Sequence, residues 1–170
     1  KKSTSLKGLH ENISMGKIDS VELSINIAFP EKTSLEPRPV LLLIHGGGFI
    51  SGDKSTKNKQ IIKLSKRGFV SASAMYRLSP EYRFPAAIED IKLAVRFLKA
   101  NAAKYHIDPE RIIVSGSSAG SYLAVMIGVT GNSNTFSDYG LYPEFDSSVR
   151  AITAQSAPIG DFTQPKYAEL

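Results

Sequence analysis

The 170-residue chain contains no cysteine. That excludes disulfides, zinc–thiolate centres and a cysteine nucleophile. It leaves both kinds of compartment open: cytoplasmic, or secreted or periplasmic once a signal peptide is removed. No apolar run approaches the length of a transmembrane helix. Basic residues outnumber acidic ones by 21 to 16, for a net charge of +5. They are scattered, however: Lys1 and Lys2, a looser group from Lys54 to Arg67, then mostly single positions. With no arginine-rich block and no basic strip interleaved with aromatics, nucleic acid is not an expected partner. The surplus suits solvated helix faces with some attraction for anionic surfaces. There is no internal repeat, no low-complexity tract and no sign of a second domain, and the length suits one domain over residues 1–170. Histidine is scarce, with only His10, His45 and His106. The chain begins at Lys1 rather than Met, and the expectation is either that something, such as a signal peptide or tag, has been removed there or that the numbering has been shifted.

What is present centres on Ile112-Ile113-Val114-Ser115-Gly116-Ser117-Ser118-Ala119-Gly120. Three β-branched apolar residues run into Gly-x-Ser-x-Gly, and small residues follow. This pattern predicts a buried strand, a very sharp turn and a helix, with Ser118 at the bend in a strained backbone conformation of positive φ. Glycine is expected at 116 and 120 because a Cβ there would strike the neighbouring strand or helix. The bend lifts the Ser118 hydroxyl clear of the sheet at a helix N-terminus, where backbone N–H groups can stabilise a developing oxyanion.

A second motif lies upstream. Val40-Leu41-Leu42-Leu43-Ile44 is a continuous apolar run, as in a central strand covered on both faces. His45-Gly46-Gly47-Gly48-Phe49 follows directly, then Ser51-Gly52-Asp53. Three consecutive glycines are costly in chain entropy. They fit either a flexible hinge or a backbone that approaches a ligand with its N–H groups free, as the second half of an oxyanion hole.

Around these motifs, residues 1–20 are polar and weakly patterned, with Gly8 and Gly16 as breakers. Val21 to Phe29 alternates apolar and polar, which predicts a half-exposed edge strand. Residues 57–67 read as a short helix stopped by Gly68, and Phe69 to Met75 as another strand. Tyr76 to Pro85 is a loop with two prolines, and Pro85 suits a helix first turn. Ile88, Ile91, Val95 and Leu98 trace an apolar helical face to about Asn101. Tyr122 to Val129 is an apolar helix. Gly131 to Ser148 is a long polar and aromatic insert, and Val149 to Ala154 a further strand. Strands alternating with helices predict an α/β fold with a mainly parallel sheet.

Together, His45-Gly46-Gly47-Gly48-Phe49, Tyr76-Arg77-Leu78-Ser79-Pro80-Glu81, Phe84-Pro85-Ala86-Ala87-Ile88-Glu89-Asp90 and Gly116-Ser117-Ser118-Ala119-Gly120 resemble the α/β-hydrolase fold. Within it they are similar to the HGGG-type, hormone-sensitive-lipase-like carboxylesterases. The insert and the segment from Ser147 to Phe162 look closer to a bacterial branch of feruloyl and acetyl-xylan esterase-like enzymes. The resemblance covers about residues 20–165. It implies Ser118 as nucleophile, with the N–H groups of Gly47, Gly48 and Ala119 as the oxyanion hole. His45 would stiffen the glycine loop, helped by Gly46 and Asp53, and would not be the base. Arg77 and Asp90 would form an ion pair holding the loop, or else stand as two independent surface charges. Neither a metal nor an organic cofactor is implied. The expected partners are small-molecule or polysaccharide esters, and aromatics of the insert could stack sugar or phenolic rings or simply pack. Oligomeric state is left open.

A serine nucleophile needs a base, and the base an orienting acid. In this fold the order is Ser, then Asp or Glu, then His, whereas all three histidines here precede Ser118. The expectation is therefore that residues 1–170 are the front portion of a longer hydrolase, with the triad acid and histidine outside them. Asp161 follows the strand after the elbow, where some relatives place the acid. More often the acid follows the next strand, which would make Asp161 a loop-structuring residue lining the site. Two other readings stay open: a peptidase on the same fold, and a non-catalytic hydrolase-like binding protein.

Overall fold

The computed structural model describes residues 6–136 and 141–158. Among these residues six strands form one sheet: β1 (Gly8–Ile18), β2 (Val21–Phe29), β3 (Arg38–Ile44), β4 (Val70–Ala74), β5 (Ile107–Ser117) and β6 (Ala151–Gln155). Their order is β1-β2-β4-β3-β5-β6. The β1–β2 and β2–β4 pairs are antiparallel, and β4, β3, β5 and β6 run parallel. A 3₁₀ turn (Lys54–Lys57) and α1 (Asn58–Ser65) connect β3 to β4. The helices α2 (Ala86–Ala100) and α3 (Ala102–Tyr105) lead to β5, and α4 (Ala119–Thr130) leads away from it.

The apolar run of β3 is explained by cover on both faces. Val40, Leu42 and Ile44 belong to the main core with Ile88, Ile91, Val95 and Leu98 of α2 and Leu123, Ala124 and Ile127 of α4. Leu43, one residue out of phase, packs instead with Ala28 and with Ile61 of α1. Alternate side chains of a strand point to opposite faces. The central strand therefore feeds two hydrophobic layers and needs apolar residues throughout.

Three sequence expectations are corrected. The polar leader contains a full strand, β1, whose Met15 and Ile18 are buried. Its pairing with β2 slips between His10 and Ile13 and again between Ser14 and Gly16. Bulges of this kind erase a period-two pattern, so the strand leaves no alternation to read. Val21–Phe29, expected at an edge, lies between β1 and β4 and is buried over most of its length. Pro85 stands just ahead of α2 rather than inside its first turn.

The apolar face of α2 is as expected, but three cations on the same helix are buried as well: Lys92, Arg96 and Lys99. The insert lies over them. Lys92 Nζ donates to the carbonyls of Thr130, Ser133 and Thr135 at 2.7, 3.0 and 2.5 Å. Lys99 pairs with Asp146 and donates to Ser148 Oγ at 2.9 Å. Tyr142 of the insert meets Phe97 edge-on at 5.9 Å. That ring takes part in packing and is half-buried. Tyr139 lies outside the described residues.

Candidate active site

Strand β5 ends at Ser117 and α4 begins at Ala119, leaving one residue for the reversal. That residue, Ser118, has φ 52° and ψ −125°. An L-residue rarely occupies this region, at a cost of about 1–3 kcal/mol that the surroundings must hold in place. Three contacts do so here. The Ser118 N–H donates to the Gln155 carbonyl of β6 at 2.9 Å, and the Ser118 carbonyl accepts the N–H groups of Ser121 (2.9 Å) and Tyr122 (3.3 Å). The strand and helix approach so closely that a Cβ on Gly116 would run into the Gly120 carbonyl, and one on Gly120 into the carbonyls of Ile44 and His45. Ser118 itself is exposed. Ala119 opens α4, so its N–H has no intrahelical acceptor.

The glycine loop after β3 lies against this bend. A Cβ on Gly46 would stand 2.9 Å from the Ser117 carbonyl oxygen and 3.2 Å from Ser118 Cβ. The loop then turns back through the Gly47 carbonyl, which accepts the N–H groups of Ile50 and Ser51 at 3.1 and 3.0 Å and the Ser51 hydroxyl at 3.1 Å. Gly47 has φ +127°, and a side chain there would collide with Ser51 O. Only glycine fits the turn. Gly48 follows at φ +62°, also left-handed, and Phe49 at φ 66° meets Tyr122 of α4 edge-on at 5.6 Å.

His45 is buried beneath the loop. Its Nδ1 lies 2.7 Å from the Gly46 carbonyl. A carbonyl only accepts, so Nδ1 carries the proton and donates it. The imidazole stacks on Tyr76 at 4.3 Å, and the Tyr76 hydroxyl donates to the His45 carbonyl at 3.0 Å. Burial pushes the His45 pKa below its usual value, against the bond to Gly46 and the charge of Asp53. Burial raises the Tyr76 pKa. Asp53 caps the 3₁₀ turn by accepting the Ser55 N–H at 2.7 Å. Burial works against its charge, but the bonds from Ser55 prevail and its pKa is lowered. His45 is thus fixed between the Gly46 carbonyl and Tyr76, and burial favours its neutral form.

The structure brings together Ser118, Ala119, Gly46, Gly47, Gly48, His45 and Asp53. Asp161 lies outside the described residues. Neither of the other histidines stands near this cluster along the sheet. His106 precedes β5, at the opposite end, with Nε2 against the Ser34 carbonyl at 3.0 Å. His10 sits on β1, with its ring edge-on to Phe29. Arg77 and Asp90 form a buried ion pair. The Arg77 backbone N–H donates to Asp90 Oδ2 at 2.7 Å and its Nε bridges both carboxylate oxygens at 3.0 Å, while Asp19 and Glu89 also reach the guanidinium. Among the described residues no cluster of three or more His, Cys, Asp or Glu side chains could hold a metal ion.

Sequence reasoning missed two partners of the site. One is Tyr76, the platform under His45. The other is Lys57, whose Nζ donates to Ser117 Oγ at 3.2 Å, one residue from the bend. Tyr76 was visible as the first residue of a noted loop motif. No local signal marks Lys57.

The chain is 35% identical over 98 residues to esterase LipC of Mycobacterium tuberculosis, a match covering 57% of this chain and 24% of the relative. It is 34% identical over 122 residues to arylacetamide deacetylase of Oryctolagus cuniculus, covering 69% of this chain and 31% of that one. It therefore spans about a quarter to a third of the length of these curated relatives. Among solved structures, apo Thermogutta terrifontis esterase 2 superimposes with a TM-score of 0.82 at 22% identity, over 98% of this chain and 63% of that one. The same esterase phosphonylated by cyclosarin gives 0.80 at 23% identity, over 94% and 60%. The BD-FAE family model matches residues 25–169. With the parallel sheet, the bend at Ser118 and a match over most of its length, this chain belongs to the BD-FAE family and has the α/β-hydrolase fold.

Proposed function

We propose that the protein is a serine carboxylesterase of the HGGG type, acting through an acyl-enzyme on Ser118. The observation that carries this reading is the exposed, positive-φ Ser118 at the head of α4, in contact with a glycine loop whose backbone only glycine can adopt. The Ser118 Oγ attacks an ester carbonyl carbon, and its proton passes to a base. The carbonyl π pair moves onto oxygen, where the N–H groups of Gly47, Gly48 and Ala119 receive it. Collapse expels the alcohol, which takes up the proton, and water then hydrolyses the acyl-enzyme. Of the three histidines, none is placed to be that base, so the reading is tested on the full-length protein. The proposed substrates are short-chain acyl esters, or acetyl and feruloyl groups on plant polysaccharide. The names of the relatives support ester or amide deacylation, and the family match supports this branch.

The test compares full-length wild type with Ser118→Ala on 4-nitrophenyl acetate. The variant should lose at least about 1,000-fold in kcat and keep its thermal midpoint. Turnover within a few-fold of wild type would remove Ser118 from the chemistry. Comparing acetyl xylan with a feruloylated oligosaccharide then reads the substrate class.

A further inference from the structure

Ser117, the residue before the bend, is met from two directions, and both contacts come from the connection between β3 and α1. Its carbonyl faces the glycine loop: a Cβ on Gly46 would stand 2.9 Å from Ser117 O. Its hydroxyl accepts a hydrogen bond from Lys57 Nζ at 3.2 Å, across 60 positions of sequence. Ser117 and Lys57 are both half-buried.

Lys57 is badly suited to its local position. It is the N-cap of α1. That position favours Ser, Thr, Asp or Asn, whose side-chain oxygen accepts a free N–H of the first turn. Lysine offers no oxygen, and its charge opposes the positive end of the helix dipole. Its side chain makes no cap bond, and the first turn of α1 carries no acidic residue to offset the charge. The 3₁₀ turn that ends on Lys57 is nevertheless well anchored. The Asp53 carboxylate accepts the Ser55 N–H at 2.7 Å, and the Asp53 carbonyl accepts the N–H and hydroxyl of Thr56 at 3.1 and 2.7 Å. A fixed turn thus carries a side chain that ignores its own helix and reaches β5 instead. Local preferences are overridden in this way where function demands it.

We propose that Lys57 is a positioning residue for ester hydrolysis. Through Ser117 Oγ it holds the end of β5 against the glycine loop, and so sets the separation between Ser118 Oγ and the N–H groups that meet the oxyanion. This role rests on the reading of Ser118 as nucleophile and of the loop as oxyanion hole. A misplacement of about 1 Å at a reacting group can cost on the order of 100-fold in rate. Loss of one supporting bond, with the backbone contacts of Ser118 intact, should cost about tenfold.

The test compares full-length wild type with Lys57→Met, Lys57→Arg, Ser117→Ala, the double variant of Lys57→Met and Ser117→Ala, and Ser118→Ala, all on 4-nitrophenyl acetate. Lys57→Met should lower kcat about tenfold, with KM within about twofold of wild type and a thermal midpoint within about 3 °C. Ser117→Ala removes the same bond without touching the turn, and should do the same. The double variant should be no more than about twofold slower than either single variant, because one bond can be lost only once. Lys57→Arg keeps a cationic donor of similar reach and should recover at least about half of the wild-type kcat. Losses that multiply to about 100-fold in the double variant would mean that Lys57 acts other than through Ser117, and would overturn the proposal. So would a Lys57→Met kcat within about twofold of wild type, a loss confined to KM, or an arginine variant as slow as the methionine one. If Ser118→Ala abolishes turnover while Lys57→Met leaves it intact, the positioning role alone fails. Turnover that survives Ser118→Ala would overturn the nucleophile reading, and this role with it.

Discussion

Gly47 combines a backbone at φ +127° with a Cβ position already filled by the Ser51 carbonyl. Gly47→Ala must reshape the loop, and the reshaping moves the N–H groups proposed to meet the oxyanion. Loss of one such donor costs about 100- to 1,000-fold in kcat. The variant should show that loss with KM little changed and a nearly native melting curve. Unaltered kcat would dissociate this loop from catalysis. His45 gives a second test at this scale. Folding buries the ring and holds its pKa below 6.5. As pH falls through the unfolded-state value, the unfolded chain takes up a proton that the folded chain resists. The contribution of His45 is therefore full above pH 6.5 and is lost as the pH drops below it. The thermal midpoint should decline between about pH 7 and pH 5. His45→Gln should flatten that decline even if it lowers the midpoint overall, and an identical slope in the variant would refute the assignment.

Among the elements, the Tyr76–Pro85 loop is tied to α2 through Arg77 and Asp90, both of them buried. Burial raises the Asp90 pKa even though Arg77 bonds pull it down, which shows how costly this carboxylate is to enclose. Pairing offsets part of that cost, and cutting the pair leaves a desolvated guanidinium. Asp90→Asn should destabilise the protein by about 3–5 kcal/mol in urea denaturation. A change below about 1 kcal/mol would mean that Asp19 and Glu89 suffice to hold Arg77. The elements also show where sequence pattern carries information. The unbroken apolar run of β3 is legible because two layers require it, and the face of α2 because Ile88, Ile91, Val95 and Leu98 recur at helical spacing. β1 is illegible because its bulges break the alternation. The alternation of β2 suggests a wet face, yet Ser24 and Asn26 are enclosed, Asn26 by bonds to Asn12 and Asn58.

Over the whole molecule, the two motifs at the centre of the site are 70 residues apart in sequence, yet meet because β3 and β5 are parallel neighbours ending at the same edge of the sheet. Their backbone geometry was legible from residue type alone, since a strained serine and a glycine run each narrow the choices locally. What was not legible is anything made by contact between distant positions. The Tyr76 platform under His45 and the Lys57 bond to Ser117 depend on side chains that meet only after folding. The measurement that bears most directly on the account is mass spectrometry of the full-length protein after treatment with a fluorophosphonate. One equivalent should add, digestion should place it on Ser118, and Gly47→Ala should slow the addition by at least about 100-fold. Addition at another residue, or at Ser118 with a rate indifferent to Gly47, would contradict it.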